Sequence, residues 1–520
     1  MSGAERLQKA VALTISAGYQ LNREAFDFLS VAAASEDPTE IMNKVLQRIA
    51  SLDEKPIFIG RDFLERLLET TGPPKEIITQ PSAEPAEKDS SPKPQITEAK
   101  KPFRPIAKEI DANLNVVDDP STKLSTNGTL DNYLEYFRDR FRRLEKLLRQ
   151  RIDVKTAATI IDALKAPAGN KLKIIGMVTE KRESKQRTIL TVEDLQGSIT
   201  VLVPQNALEE VKKKARSLLL DQVVCLSVTK TRGTLLIAED IILPDVAQRT
   251  PHKAQDPVCA VLTSDLHVGS VRFNREAFSR FVLWLNGKYG NEQLRETAAH
   301  VKYVLIAGDI VDGIGIYPNQ IKELALKDIH KQYRYAARYL EQIPDYIEVV
   351  IIPGNHDASR KAVPQPALAA EYLETLQESR NVYSLGNPCV VSLHGVEVLM
   401  DHGRGLDDIV TTIPGMDYNH PDKAMKLLLQ GRHLAPVYGG KTLLSPENRD
   451  LLVIERTPDI FQAGHAHVLG CSNYRGVLLV NSGGWIDQTD YMRRLGIIPT
   501  PGKVPVVDLQ TLEPTVVPFA

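Results

Sequence analysis

Histidine is absent from the first 251 residues of this 520-residue chain, and all eleven fall between His252 and His467. Any imidazole chemistry therefore belongs to the second half. Phe, Tyr and Trp are missing between Asp153 and Asp245, which excludes a base-stacking platform in that stretch. Cysteine is sparse: Cys225, Cys259, Cys389 and Cys471 show no CxxC spacing, so neither a cysteine-based zinc knuckle nor a disulfide framework is expected. No apolar run approaches the ~18–20 residues of a membrane span. Residues 10–18 follow Arg6 and Lys9 as a signal-peptide core would, but Gln8, Thr14 and Ser16 dilute the run and no cleavage site follows; a cytoplasmic chain is expected. An excess of either charge is also lacking. The 64 Lys and Arg against 66 Asp and Glu leave a net charge of −2, which argues against a surface that coats nucleic acid but leaves a local basic groove open.

What is present divides the length into several domains. Residues 1–72 carry short amphipathic stripes: Leu7, Val11, Leu13 and Ile15, then residues 25–29, then residues 39–50 behind an Asp37 cap and Pro38, and finally Phe63, Leu64, Leu67 and Leu68. They predict a small helical module. Residues 73–129 are rich in Pro, Glu, Lys and Ser and predict a mobile tether. Over residues 130–153, Tyr133, Phe137, Phe141, Leu144, Leu148 and Ile152 share one helical face, with Arg138, Arg140, Arg142, Arg143, Arg149 and Arg151 opposite. That opposite face is either solvated by ion pairs along the helix or a contact for a nucleic-acid backbone or acidic partner through Arg138, Arg142 and Arg149. Residues 154–250 follow with three strand-like runs, a helix and two more runs, the order of an OB-fold barrel. Without aromatics, such a barrel is expected to bind protein; Lys181, Arg182, Lys185 and Arg187 remain available to a backbone.

From residue 251 the pattern turns to strand–loop–helix, typical of an α/β domain. Apolar strands run into Ser264-Asp265-Leu266-His267, into Gly308-Asp309-Ile310-Val311-Asp312-Gly313 and into Pro353-Gly354-Asn355-His356-Asp357. Asp401-His402-Gly403 and Gly464-His465-Ala466-His467 come later. Each polar cluster follows a strand's carboxyl end, where α/β sheets place ligand sites. One intervening residue in Asp-x-His or His-x-His lets both side chains turn inward from a loop. Mixed imidazole and carboxylate donors suit manganese, iron or zinc better than magnesium. Gly308, Gly354 and Gly464 precede these residues, consistent with tight turns or close backbone approach.

These five elements resemble the calcineurin-like metallophosphoesterase superfamily. The resemblance implies two divalent metal ions, most simply manganese with iron or zinc as alternatives. Asp265, His267, Asp309 and His467 would hold one, and Asp309, Asn355, His402 and His465 the other. His356 would be the proton donor or transition-state stabiliser, oriented by Asp357 or a neighbour, and Arg404 an additional nucleic-acid contact. With the OB-like region upstream, the chain resembles the small (B) subunits of replicative DNA polymerases. Retention of every ligand is similar to the archaeal family D branch, as are the helix at Tyr136-Phe137-Arg138-Asp139-Arg140-Phe141 and the closing run from Gly496 to Pro505. The expected architecture is multidomain α/β and β: a helical module, an OB-fold barrel and a metallophosphoesterase sandwich. The resemblance implies a nucleoid-associated 3′→5′ exonuclease acting on a DNA primer end, partnered by a large catalytic subunit and, through that complex, a sliding clamp. A catalytically silent scaffold and a stand-alone metal-dependent nuclease or phosphodiesterase are the alternatives.

Overall fold

A computed structural model describes residues 3–16, 20–21, 23–32, 37–50, 58–59, 64, 103–184 and 187–520. They fall into two compact units, Met1–Thr97 and Glu98–Ala520. In the first, helices Gly3–Ser16, Arg23–Ala32 and Pro38–Ala50 enclose Ala10, Ala25, Leu29, Met42, Val45 and Ile49. The Asp37 carboxylate accepts from Thr39 N at 2.9 Å, the cap its sequence position predicts. Of the fourth apolar stripe, Phe63, Leu67 and Leu68 lie outside the described residues, as does the proline-rich stretch 73–102.

The second unit is built on two six-stranded sheets. In one, Val382–Ser384, Glu348–Ile352, Val301–Ala307 and Cys259–Thr263 run parallel, and Lys503–Asp508 and Pro514–Pro518 complete it antiparallel. The other is ordered Gly470–Tyr474, Val477–Asn481, Ile460–Ala463, Val396–Met400, Cys389–Leu393 and Leu114–Asp118. Leu262, Leu305 and Ile352 of the first sheet meet Val391, Val398, Met400 and Val480 of the second in one core. Helices Arg275–Leu285 and Ile329–Leu340 cover the outer face of the first sheet, and Leu406–Thr412 and Pro421–Gly431 that of the second. Burial on both faces explains why Cys259–Thr263 and Val301–Ala307, buried at every position, are mostly apolar rather than alternating; Lys302 and Thr263 are the exceptions.

The strand-like runs after residue 170 form a closed five-stranded barrel of Lys171–Glu183, Thr188–Glu193, Ser198–Val203, Leu236–Ile242 and Val223–Lys230, with the helix Glu209–Arg216 interposed in sequence. Thr188–Glu193 alternates buried and half-buried residues, as a strand with one face inside a barrel must.

Two expectations need correction. Residues 103–129 are not tether. The strand Leu114–Asp118 extends the second sheet by pairing with Cys389–Leu393, Asn113 N donates to the Tyr303 hydroxyl at 2.9 Å, and the Glu447 carboxylate accepts from Ser125 N and Thr126 N at 2.7 and 3.0 Å. The composition of 73–129 as a whole obscures a proline-free run, 106–119, containing Leu114, Val116 and Val117.

The second correction concerns the basic helix, Leu130–Arg149, capped reciprocally by Thr129 and Asn132. It does dock Phe141, Leu144 and Leu148 against Ile175, Met177, Val223 and Val453. Arg140, however, belongs to the buried face: its side chain is 0% exposed and its Nε donates to Asp450 Oδ2 at 2.7 Å. Ile152 lies beyond the helix end and is 94% exposed.

Candidate metal centre

The site is assembled from the loops that leave the carboxyl ends of Cys259–Thr263, Val301–Ala307, Glu348–Ile352, Val396–Met400 and Ile460–Ala463. Turning a ligand back over a strand end demands unusual backbone. Asp265, His267, Asp309, His465 and His467 all have left-handed φ, between 51° and 68°, a region that L-residues rarely enter. The glycines preceding them permit close approach. A Cβ on Gly308 would stand 2.6 Å from His402 Nδ1, and one on Gly354 would overlap the Asp309 carboxylate.

Three overlapping triads, Asp265–His267–His467, His267–Asp309–His356 and Asp265–Asp309–His402, each bring their ligand atoms within 4.8 Å of one another. His267 Nε2 lies 3.2 Å from His467 Nε2 and 3.6 Å from Asp309 Oδ2. His402 Nε2 lies 3.4 Å from Asp309 Oδ2 and 3.0 Å from Asn355 Oδ1. The opposite ring nitrogens fix the tautomers. His402 Nδ1 is 2.8 Å from the Ala307 carbonyl and His356 Nδ1 is 2.7 Å from the Asp312 carbonyl. A carbonyl only accepts, so both Nδ1 atoms carry hydrogen, which leaves Nε2 as the ring nitrogen not held by the backbone. His267 Nδ1 donates likewise to Asp312 Oδ1 at 2.9 Å. A ring held by its far nitrogen, with the near one presented inward, is the arrangement of a metal-ligating histidine.

The donor set fits divalent cations. Asp265 Oδ1 and His467 Nδ1 are buried without a hydrogen-bond partner, and Asp265 Oδ1 is 3.4 Å from His467 Nε2. Burial alone would depress the imidazoles, yet Asp312, Asp309 and Asp265 hold His267 up to about 9, and Asp309 and Asp265 hold His402 up to about 10. That negative field equally favours a metal ion. His356 differs: burial outweighs its acidic neighbours and pushes it down to about 4, so it is neutral.

The remaining candidates are placed less centrally. His465 Nε2 is engaged by Asp407 Oδ1 at 2.9 Å and Arg404 at 3.2 Å, although its ring centroid is only 5.2 Å from that of His402. Asp357 does not orient His356. Its carboxylate accepts from Ile310 N, Val311 N, Gly354 N and the Tyr333 hydroxyl, tying two site loops together; the group on His356 Nδ1 is Asp312. Arg404 stands at the rim, 2.9 Å from Asp407. Arg149 is engaged by Glu145 and the carbonyls of Lys155 and Ala157, while Arg138 and Arg142 stay exposed around Glu135.

Similarity to known proteins covers both the site and most of the chain. Residues 260–468 match the family of DNA polymerase alpha/epsilon B subunits, a span that contains all seven expected ligands. The DNA polymerase II small subunit of Methanothermobacter thermautotrophicus is 37% identical over 91% of this chain and 92% of its own length. The chain belongs to the DNA polymerase II small subunit family. The Archaeoglobus fulgidus member is 41% identical over 76% of this chain and 78% of its own. The Pyrococcus furiosus member is 40% identical over 74% of this chain, which spans 62% of that protein's length.

Within this small-subunit chain, sequence reasoning missed Asp312 and Asp407, which hold the rings of His267 and His465. Their signal was an unassigned acid just after a motif, three residues past Asp309 and five past His402. The Ala307 carbonyl on His402 leaves no trace in side-chain identity. The six histidines without motif context, His252, His300, His330, His394, His420 and His433, stay out of the three triads.

Proposed function

We propose that this chain is the proofreading subunit of a replicative archaeal DNA polymerase, a dimetal 3′→5′ exonuclease that hydrolyses phosphodiesters at single-stranded or mismatched primer ends. The convergence of inward-facing imidazole nitrogens on two buried carboxylates, in a family named for a polymerase subunit, carries this reading. Asp265, His267, Asp309 and His467 would hold one divalent ion, and Asp309, Asn355, His402 and His465 the other. Such a pair, when bound, acidifies water and offsets charge on the phosphate. His356, with Nδ1 held by the Asp312 carbonyl, is the proton donor or transition-state stabiliser, delivering a proton taken up at Nε2 from solvent to the leaving oxygen as its bond to phosphorus breaks. Arg404 supplies a cation for the adjoining phosphate.

The barrel is read as an OB-fold, lacking aromatics and therefore docking protein rather than bases, and the two-sheet unit as a calcineurin-like sandwich. A large subunit performs synthesis and links the complex to a sliding clamp.

The test is digestion of 5′-labelled matched and mismatched primers with manganese, with and without the co-expressed large subunit. Asp309→Asn and His356→Ala abolish digestion. Undiminished digestion by both variants removes the site assignment, and an inert wild-type complex leaves only the scaffold.

A further inference from the structure

We infer that Tyr317 stacks on the terminal nucleobase, so that the site selects a nucleotide end rather than any phosphodiester; this rests on the nuclease reading above. The loop 313–323 starts at Asp312, the residue that holds His267 and His356. Buried Gln320 pins the loop, donating to the Asp312 carbonyl at 2.7 Å and accepting from Ile316 N at 2.9 Å. Gly313 N donates to Gln332 Oε1 at 2.9 Å. On this fixed base, the Tyr317 ring lies 6.2 Å from the His356 ring, and its hydroxyl donates to Glu323 Oε2 at 3.3 Å. Its hydroxyl is thus held while the residue remains 37% exposed, as do Ile314 at 42% and Ile321 at 47% in the same loop.

An apolar, aromatic lip beside a buried cluster of acids and imidazoles calls for a ligand with both kinds of surface. A nucleotide is one: a charged phosphate joined to a flat base. The barrel offers no aromatic side chain for that base. Of the exposed tyrosines Tyr317, Tyr438 and Tyr491, Tyr438 packs its ring on Tyr133 and Phe137, and among the described residues Tyr317 alone contacts a triad imidazole. Arg404 is placed against a different histidine, His465, leaving the His356 side free of that cation.

The discriminating experiment compares a normal 3′-terminal nucleotide with an abasic one, using the full chain and manganese. Stacking on an aromatic side chain corresponds to about a 5- to 150-fold effect. Tyr317→Ala raises KM by that range on the normal end with kcat little changed, Tyr317→Phe restores it, and neither substitution alters KM on the abasic end. Stopped-flow fluorescence of a terminal 2-aminopurine, read before the first turnover, shows quenching by the wild type and Tyr317→Phe but not by Tyr317→Ala. Equal losses on both ends mean that the ring merely holds its loop and overturn the inference, as does an unchanged KM for Tyr317→Ala. Failure of the wild type to digest either end, both alone and with the co-expressed large subunit, overturns the nuclease reading itself.

Discussion

Replacing Arg140 by Met tests whether the basic helix is held by a buried ion pair. Arg140 sits among three segments distant in sequence: it bonds Asp450 Oδ2 at 2.7 Å, the Pro436 carbonyl at 2.6 Å and the Asp221 carbonyl at 3.3 Å. Asp221 in turn accepts from Tyr438 N at 2.8 Å, so one guanidinium links helix, barrel and sandwich. Methionine fills part of the volume but removes the cation paired with Asp450, whose side chain is 0% exposed and keeps only the neutral donors His433 Nε2 and Leu452 N. Stranding one partner of a buried pair costs about 3–5 kcal/mol. The loss is measured by urea denaturation of the full chain, followed by far-ultraviolet circular dichroism.

His433 supplies a second, independent sign. Its Nδ1 accepts from Ala435 N at 3.1 Å, so its Nε2 carries the hydrogen donated to Asp450 at 2.8 Å. Burial, and then Arg140, push His433 down to about 4 from 6.5. A depressed histidine contributes stability above its unfolded value and loses it as pH falls through its folded value. Without Arg140 the folded value rises, and Asp450 without its cation is also protonated more readily. The variant therefore loses less stability on acidification than the wild type, and the gap between them narrows from neutrality to about pH 5. A loss below about 1 kcal/mol at neutral pH, or a gap independent of pH, refutes the reasoning.

Two further outcomes follow from the structure. Asp312→Asn weakens the charge behind His267 Nδ1, and manganese affinity by isothermal titration falls about 10-fold, the lower end of effects from residues that orient ligands; unchanged affinity removes Asp312 from the site. Glu447→Ala frees Ser125 N, Thr126 N and Arg360, and limited proteolysis of the full chain then cuts residues 119–129 faster, consistent with about 1–3 kcal/mol for abandoned donors. An unaltered cleavage pattern shows that Glu447 does not fasten this segment.

The sequence exposes the site more fully than the joints between elements. Asp265, His267, Asp309, His402 and His467 were legible because each follows a buried apolar strand, whose short hydrogen-bonded run leaves little freedom in where its end lies. Leu114–Asp118 was not legible because its partner strand lies more than 270 residues away: Leu114 faces Leu393. Composition averaged over a window cannot register such a pairing. Arg140 was misplaced for a related reason. Helical periodicity sorts residues into two faces but assigns charge to water by default. Only the meeting of Asp450, Pro436 and Asp221 makes a buried guanidinium tolerable.

The left-handed backbone of the expected ligands bears on the choice between the proposed nuclease and a silent scaffold. Each such residue costs of order 1–2 kcal/mol over relaxed backbone, and five of the expected ligands adopt this conformation. The strain is held by hydrogen bonds between loops: Asp265 N to the Gly308 carbonyl, His267 N to that of Asp309, His465 N to the Asp265 carboxylate and Thr500 N to the His467 carbonyl, all at 2.9–3.0 Å. The closing segment around Thr500 thus supports the same turn that presents His467. These bonds join residues that would otherwise relax independently, so the inward nitrogens are held by the chain itself. A surface used only for docking gains nothing from strained residues buried beneath strand ends, whereas placing donors before substrate arrives is what lowers a reaction barrier. Local strain concentrated on the same side chains that could bind metal therefore favours the nuclease over the silent scaffold.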